Sequence, residues 1–163
     1  NCNSGQGAHV SEEKEKAMKK AMSLLSRRAH GRSELAGKLK LRGFSGQTIK
    51  AVLDDCERLN FINDRDFAEL YIEELKGRGF GSRRIKNELN KKRLPRPVIE
   101  ELMEESPEDK ENEYSRAEVV LERKMKSLAR ESDPRKRREK IYRFMASRGF
   151  SGDIISQLLE KIK

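Results

Sequence analysis

With 163 residues, 34% hydrophobic and 40% charged side chains and no tryptophan, this chain is too polar for one large core, and it lacks the roughly 20 consecutive apolar residues that cross a bilayer. A formal net charge of +9, from 37 Lys and Arg against 28 Asp and Glu, points to a polyanionic partner, either nucleic acid or an acidic protein face. Cys2 and Cys56 are the only cysteines; nothing suggests a disulfide framework, and a reducing compartment is expected.

Residues 1–10, rich in Gly, Asn and Ser, read as a disordered tail or a non-native remnant, without the apolar run of a signal peptide. Beyond them helical periodicity dominates and strand alternation is absent. Ser11 can cap a first helix to about Ala29, with Met18, Ala21, Met22 and Leu25 on one face. Ser33 caps a short second helix that turns Leu35, Ala36 and Leu39 inward and stops at Gly43. Ser45 caps a third, whose stripe is Ile49, Val52, Leu53, Cys56 and Leu59; Cys56 there acts as a small hydrophobe. Asn63 or Asp64 caps the fourth, with Phe67, Leu70, Tyr71 and Leu75 recurring. Gly77-Arg-Gly-Phe-Gly81 ends it, and a fifth begins near Ser82 with Ile85 and Leu89 buried. Pro95 and Pro97 break that helix, Pro97 being tolerable in the first turn of the sixth, which carries Val98, Ile99, Leu102 and Met103. Residues 104–112 are acidic and include Pro107, the signature of an exposed hinge. A seventh helix runs from Tyr114 to about Leu128, Asp133-Pro134 opens an eighth, and Ser151 caps a ninth with Ile154, Ile155, Leu158, Leu159 and Ile162.

The chain also repeats itself. Leu39 to Ile49 (Leu-Lys-Leu-Arg-Gly-Phe-Ser-Gly-Gln-Thr-Ile) matches the apolar spacing of Leu89 to Ile99, 50 residues later, and of Met145 to Ile155, 56 further on. A period near 50 residues signals a row of like helical modules and favours binding along an extended surface over catalysis. The expected fold is all-α: three tandem three-helix modules in an elongated, curved, solenoid-like array, with bounds 11–60, 61–105 and 113–163 and an acidic linker at 106–112.

Charge follows the repeat. Residues 76–96 hold nine Lys and Arg and one acid, residues 27–42 six and one, residues 134–148 seven and one, each block centred on the second helix of a module. The third helices of the first two modules instead carry Asp54, Asp55 and Glu57, and Glu100, Glu101, Glu104 and Glu105. In a helix-turn-helix DNA reader the last helix enters the major groove with basic and amide side chains. Acidic last helices would be repelled by phosphate, so base-specific duplex reading is disfavoured, and a basic band from successive second helices remains.

Chemistry is sparse. His9 falls in the tail and His30 in a helix-helix turn, and no CxxC, HExxH or EF-hand spacing occurs. No catalytic, metal or cofactor residue is expected. Gly77 to Gly81 follows a helix rather than a strand, and no Gly-Lys-Ser/Thr succeeds it, so helix punctuation explains it better than a phosphate loop. Arg83 and Arg84 near a helix N-terminus oppose the macrodipole, which suggests that something other than helix stability keeps them. Phe44, Phe80 and Phe150, each after Arg-Gly, could stack bases, although the hydrophobic contact that accompanies a Gly cap is the commoner role.

At these residues the chain resembles the RecX family, bacterial regulators of the RecA recombinase. Ser33-Glu-Leu35, Leu39 and Arg42-Gly-Phe44 look like the first-module signature. Phe61-Ile-Asn-Asp64 with Phe67-Ala68 resembles the linker, Gly79-Phe-Gly-Ser-Arg-Arg-Ile-Lys-Asn-Glu-Leu89 the most characteristic stretch, and Tyr142-Arg-Phe-Met-Ala-Ser-Arg-Gly-Phe150 the third module. Leu94-Pro95 departs from the usual Gly-Val or Gly-Ile, and Asn63 replaces an acid. The resemblance implies a cytoplasmic protein of tandem three-helix modules without catalytic residues; a monomer without enzymatic activity or cofactor is expected. It implies binding in the groove of the RecA–single-stranded DNA filament and suppression of ATP hydrolysis, strand exchange and repressor co-cleavage. Candidate partner or DNA contacts are Lys40, Arg42, Arg83, Arg84, Lys86, Lys91, Arg93, Arg135, Arg138 and Arg143. Charge reversal at Arg83, Arg84 and Lys86 is expected to abolish inhibition without unfolding. Two other readings stay open: a general nucleic-acid-binding module competing for single strands, and an adaptor using the acidic third helices.

Overall fold

The structure, a computed structural model, describes residues 4–162, and among these it contains nine α-helices and no strand. They are α1 (Ser4–Arg27), α2 (Arg32–Leu41), α3 (Gly46–Arg58), α4 (Asp64–Gly77), α5 (Ser82–Lys91), α6 (Arg96–Leu102), α7 (Pro107–Ser127), α8 (Pro134–Ser147) and α9 (Gly152–Glu160). They form two compact units. The first holds residues up to 69 together with 92–98; the second holds 70–91 and 99 onward. Helices α4 and α6 each contribute residues to both.

Two segments read as irregular are helical. Residues 4–10 belong to α1, so Ser11 lies inside a helix rather than capping it; residues 1–3 of the expected tail, and Cys2 with them, lie outside the described residues. The expected linker at 106–112 is the first turn of α7. Ser106 is its N-cap, accepting from the Asp109 amide at 3.1 Å while the Asp109 carboxylate accepts from the Ser106 amide at 3.0 Å. Pro107 sits at the first helical position, where no amide hydrogen is needed, and the acids of this turn suit the helix dipole. The composition that looked like a hinge is that of a helix start.

In the first unit Ala17, Ala21 and Leu24 of α1 pack on Leu35 and Leu39 of α2 and on Ile49, Val52, Leu53 and Cys56 of α3, with Ile62 closing the cluster. Met22 and Leu59, expected inside, are exposed. The second unit has a matching core of Ala117, Val120 and Leu121 from α7, Ile141 and Met145 from α8, and Phe150, Ile155, Leu158 and Leu159 around α9. Helix α4 is rotated from its expected face: Ala68, Ile72 and Leu75 are buried, at i, i+4 and i+7, whereas Leu70 is 68% exposed. The small Ala68 marks the inward face better than the larger Leu70 does, because close helix packing favours a small side chain.

The capping residues separate by role. Ser45, Ser151 and Asp133 cap α3, α9 and α8 as their spacing implies. Ser33 does not cap α2, whose N-cap is Gly31 with no side-chain bond. Its first amide, that of Arg32, donates instead to Asp64 Oδ1 at 2.8 Å. Asn63 caps α4 through the Asp66 amide at 3.1 Å, which frees Asp64 to reach the other helix. We expect Asp64→Ala to destabilise the first unit by about 1 kcal/mol, the usual value of a cap, read as a lower urea midpoint at unchanged slope.

Candidate nucleic-acid interface

In the first unit Lys40 stands exposed in the last turn of α2, and Arg42, its C-cap, donates from Nη1 to the Lys38 carbonyl at 2.9 Å. Arg93 belongs to the same unit because the turn after α5 docks on α2: Ser33 Oγ donates to the Arg93 carbonyl at 3.2 Å, and Lys92 Nζ lies 3.6 Å from Glu34 Oε1. Arg93 takes φ +53°, the conformation that Gly43 and Gly149 take in the corresponding turns. A Cβ there costs about 1–2 kcal/mol, only part of which glycine returns through its greater chain entropy. Arg93→Gly is therefore expected to stabilise the protein by up to about 1 kcal/mol, seen as a raised urea midpoint; a fall would mean that the arginine makes a stabilising contact.

His30 is buried at 3% exposure. Its Nε2 lies 2.8 Å from Lys38 Nζ and its Nδ1 2.9 Å from the Arg28 carbonyl. The ammonium can only donate, so Nε2 accepts and Nδ1–H donates to the carbonyl. Burial pushes the imidazole pKa down, which keeps it in this neutral form. It is a satisfied core residue. Cys56 is fully buried, and its Sγ lies 3.9 Å from Met18 Sδ.

The acids of α3 are taken up within their own unit. Arg32 pairs with Asp54 at 2.8 Å and Glu57 at 2.9 Å, and Lys14 pairs with Asp55 at 2.9 Å. That leaves α3 little free negative charge for an adaptor role.

In the second unit the basic residues of α5 lie in two neighbouring rows. Arg83 and Lys86 are exposed in one; Arg84 and Lys91 lie in the other, with Glu88 beside them. Arg84 Nε and Lys91 Nζ each reach Glu88 Oε1 at 3.0 Å. Along α8, Arg135 pairs with Glu139 at 3.7 Å, Arg138 donates to the Leu159 carbonyl at 2.9 Å and so closes α9, and Arg143 is exposed on another face. The structure thus gathers Arg83, Arg84, Lys86 and Lys91 on one helix, and it gives Arg84, Lys91, Arg135 and Arg138 internal partners.

The α5 N-terminus explains why two arginines are tolerated there. The Ser82 amide donates to Glu113 Oε1 at 2.9 Å, and Glu113 is 5% exposed. This buried carboxylate from α7 supplies the negative charge the helix start needs. The turns on either side of Phe80 and Phe150 also interlock. The Gly81 amide donates to the Arg148 carbonyl at 2.8 Å, and the Arg83 amide to the Gly149 carbonyl at 3.1 Å. A Cβ on Gly81 would come within 2.5 Å of the Gly149 backbone. These glycines serve close chain approach as well as helix punctuation.

Phe80 and Phe150 are buried, at 6% and 1% exposure, which removes them as base-stacking platforms. Phe80 is instead ringed by cations. The guanidinium carbons of Arg148, Arg84 and Arg78 lie 4.4, 4.9 and 5.2 Å from its ring centroid, and Arg116 Nε donates to its carbonyl at 3.2 Å. Arg78 and Arg148 are not among the candidate contacts that the sequence marks: their shared Arg-Gly-Phe context reads as a cap, and its second role shows only where the two turns meet.

Among the described residues, no group of three His, Cys, Asp or Glu is arranged to hold a metal ion, and no helix is long and apolar enough to cross a membrane.

Comparison with known proteins finds family matches along most of the chain. Models for the first, second and third three-helix domains of RecX match residues 17–56, 63–103 and 111–159. "Regulatory protein RecX" of Vibrio parahaemolyticus serotype O3:K6 (strain RIMD 2210633) is 37% identical over 139 residues, 85% of this chain and 86% of that protein. The protein of the same name from Pseudomonas putida (strain GB-1) is 39% identical over the same shares. The crystal structure of RecX from Lactobacillus salivarius superposes with a TM-score of 0.79 at 22% identity, covering 93% of this chain and 97% of that one; at that identity it speaks for the fold alone. With all three domains matched in order and identity above a third along most of both chains, this protein belongs to the RecX family of regulatory proteins.

Proposed function

We propose that this protein is a negative modulator of the RecA recombinase. It binds the groove of the RecA–single-stranded DNA filament and suppresses ATP hydrolysis, strand exchange and co-protease activity, as a cytoplasmic monomer without catalysis of its own. The observation that carries this reading, beside family membership, is the basic second helix of each three-helix domain, with Lys40, Arg83, Lys86, Lys91, Arg135 and Arg143 all exposed. Such a surface suits a partner that presents acidic protein faces and phosphates together.

The test is RecA's DNA-dependent ATPase, with this protein titrated in at a small fraction of RecA and single strands in excess. A steep fall is expected, because too little protein is present to mask the DNA. A fall only when the protein rivals the DNA sites would favour the alternative, a helical-repeat DNA binder competing for single strands.

A further inference from the structure

The arginines around Phe80 carry more positive charge than their surroundings neutralise. All three guanidinium carbons lie within 5.2 Å of one ring centroid, so no two are more than about 10 Å apart. Arg84 shares Glu88 with Lys91, and Arg78 reaches Glu74 only at 4.0 Å. Among the described residues Arg148 has no carboxylate partner; it stacks between Phe80 and Phe144, donates from Nη2 to the Arg78 carbonyl, and keeps a buried Nε without an acceptor. Burial and its neighbours Arg84 and Arg78 together pull the Arg148 pKa down. Four cations thus face two carboxylates. Stacking on an aromatic ring attracts each cation and leaves their mutual repulsion uncompensated.

Beside this cluster a shallow groove is lined by Arg84, Asn87, Asn90, Lys91 and Ser147. Asn87 and Asn90 are exposed and lie one helical turn apart, so both line the same opening. The only acid of this helix, Glu88, is already held by two cations.

We propose that this groove is a binding site for the sugar–phosphate backbone of a single-stranded nucleic acid, with Arg84 and Lys91 on phosphate oxygens, Asn87 and Asn90 on sugar or base edges, and Arg148 and Arg78 supplying the field behind them. A strand brings repeated negative charges, which match a cluster of this size better than one carboxylate does. Asparagine amides offer an acceptor as well as donors, and an acidic peptide side chain would leave that acceptor unused. The proposal draws on the nucleic-acid side of the function above and does not depend on RecA.

The experiment measures binding of a fluorescent oligothymidylate to the full chain by anisotropy across a salt series, with the RecA ATPase assay run in parallel on the same variants. Arg148→Gln is expected to weaken oligonucleotide binding about tenfold and to flatten the salt dependence. Because Arg148 also bonds the Arg78 carbonyl, the double substitution Asn87→Ala/Lys91→Gln, confined to exposed positions, serves as the second variant and should weaken binding at least fivefold, with a salt slope lower by about one. Unchanged affinity and slope in the double variant overturn the site, whatever the ATPase shows. Unchanged oligonucleotide binding with lost inhibition also overturns it, and assigns the groove to an acidic protein segment while leaving the RecA reading intact. Weakened binding with full inhibition supports the site and counts against DNA contact here as the route of regulation.

Discussion

Gly149→Ala should destabilise the second unit by about 3–5 kcal/mol, among the larger effects of any single substitution in a domain of this size. A Cβ at this position would lie 2.3 Å from both the backbone nitrogen and the Cβ of Arg84. Those atoms belong to α5 and cannot move aside alone. Relief would require the α8–α9 turn to leave the α4–α5 turn, with loss of the 2.8 Å bond from Gly81 to Arg148 and the 3.1 Å bond from Arg83 to Gly149. Backbone conformation adds to this, since Gly149 has φ +93°. Gly43→Ala is the internal control. Its φ is +84°, but nothing lies within 4 Å of the added methyl, so it should cost only the left-handed penalty of about 1–2 kcal/mol. Urea unfolding of both variants, with hydrogen exchange to assign each loss to its unit, gives the comparison. Equal costs would mean that the two turns do not meet.

Arg83→Glu/Lys86→Glu should raise the concentration for half-inhibition of the RecA ATPase at least tenfold, about 1.4 kcal/mol of binding, with native circular dichroism and an unchanged urea midpoint. Both side chains are exposed, and among the described residues neither has an ion-pair partner. A glutamate at position 83 also falls in the first turn of α5, where the dipole favours it. The fold should therefore tolerate the change while two charges reverse on the surface. Arg84 does not belong in this variant, although its sequence neighbourhood suggested it. It holds Glu88 at 3.0 Å and covers the Phe80 ring, so reversing it would replace an ion pair by two facing acids and mix a folding defect with a binding defect. Full inhibition by the double variant would remove α5 from the partner-binding surface.

Much of the local architecture is legible in the chain because it depends on near neighbours. The stripe Ile49, Val52, Leu53, Cys56 identifies α3 and its buried face by spacing alone, and Ser45, Asp133 and Ser151 cap the helices that follow them. Composition misleads where position is left out: the acids and Pro107 suit a hinge, yet a proline at the first helical position and carboxylates in the first turn are what a helix start prefers.

The basic blocks were visible in the sequence as well, since charge repeats with the domains, and that repetition is enough to direct the functional reading toward a polyanionic partner. How these cations are gathered was decided by tertiary structure. Arg138 is bound to the end of α9, and Arg148 is brought from the α8–α9 turn onto Phe80, beside Arg78 and Arg84, whose own pairings with Phe80 and Glu88 are local. Asp64 and Glu113 show the same limit. Each satisfies the first amide of a helix more than 30 residues away, and no local pattern records a bond between groups that meet only after the chain has folded. Spacing along one helix reports which face is buried, because periodicity and burial are both local; it is silent on which distant backbone or charge that face will find.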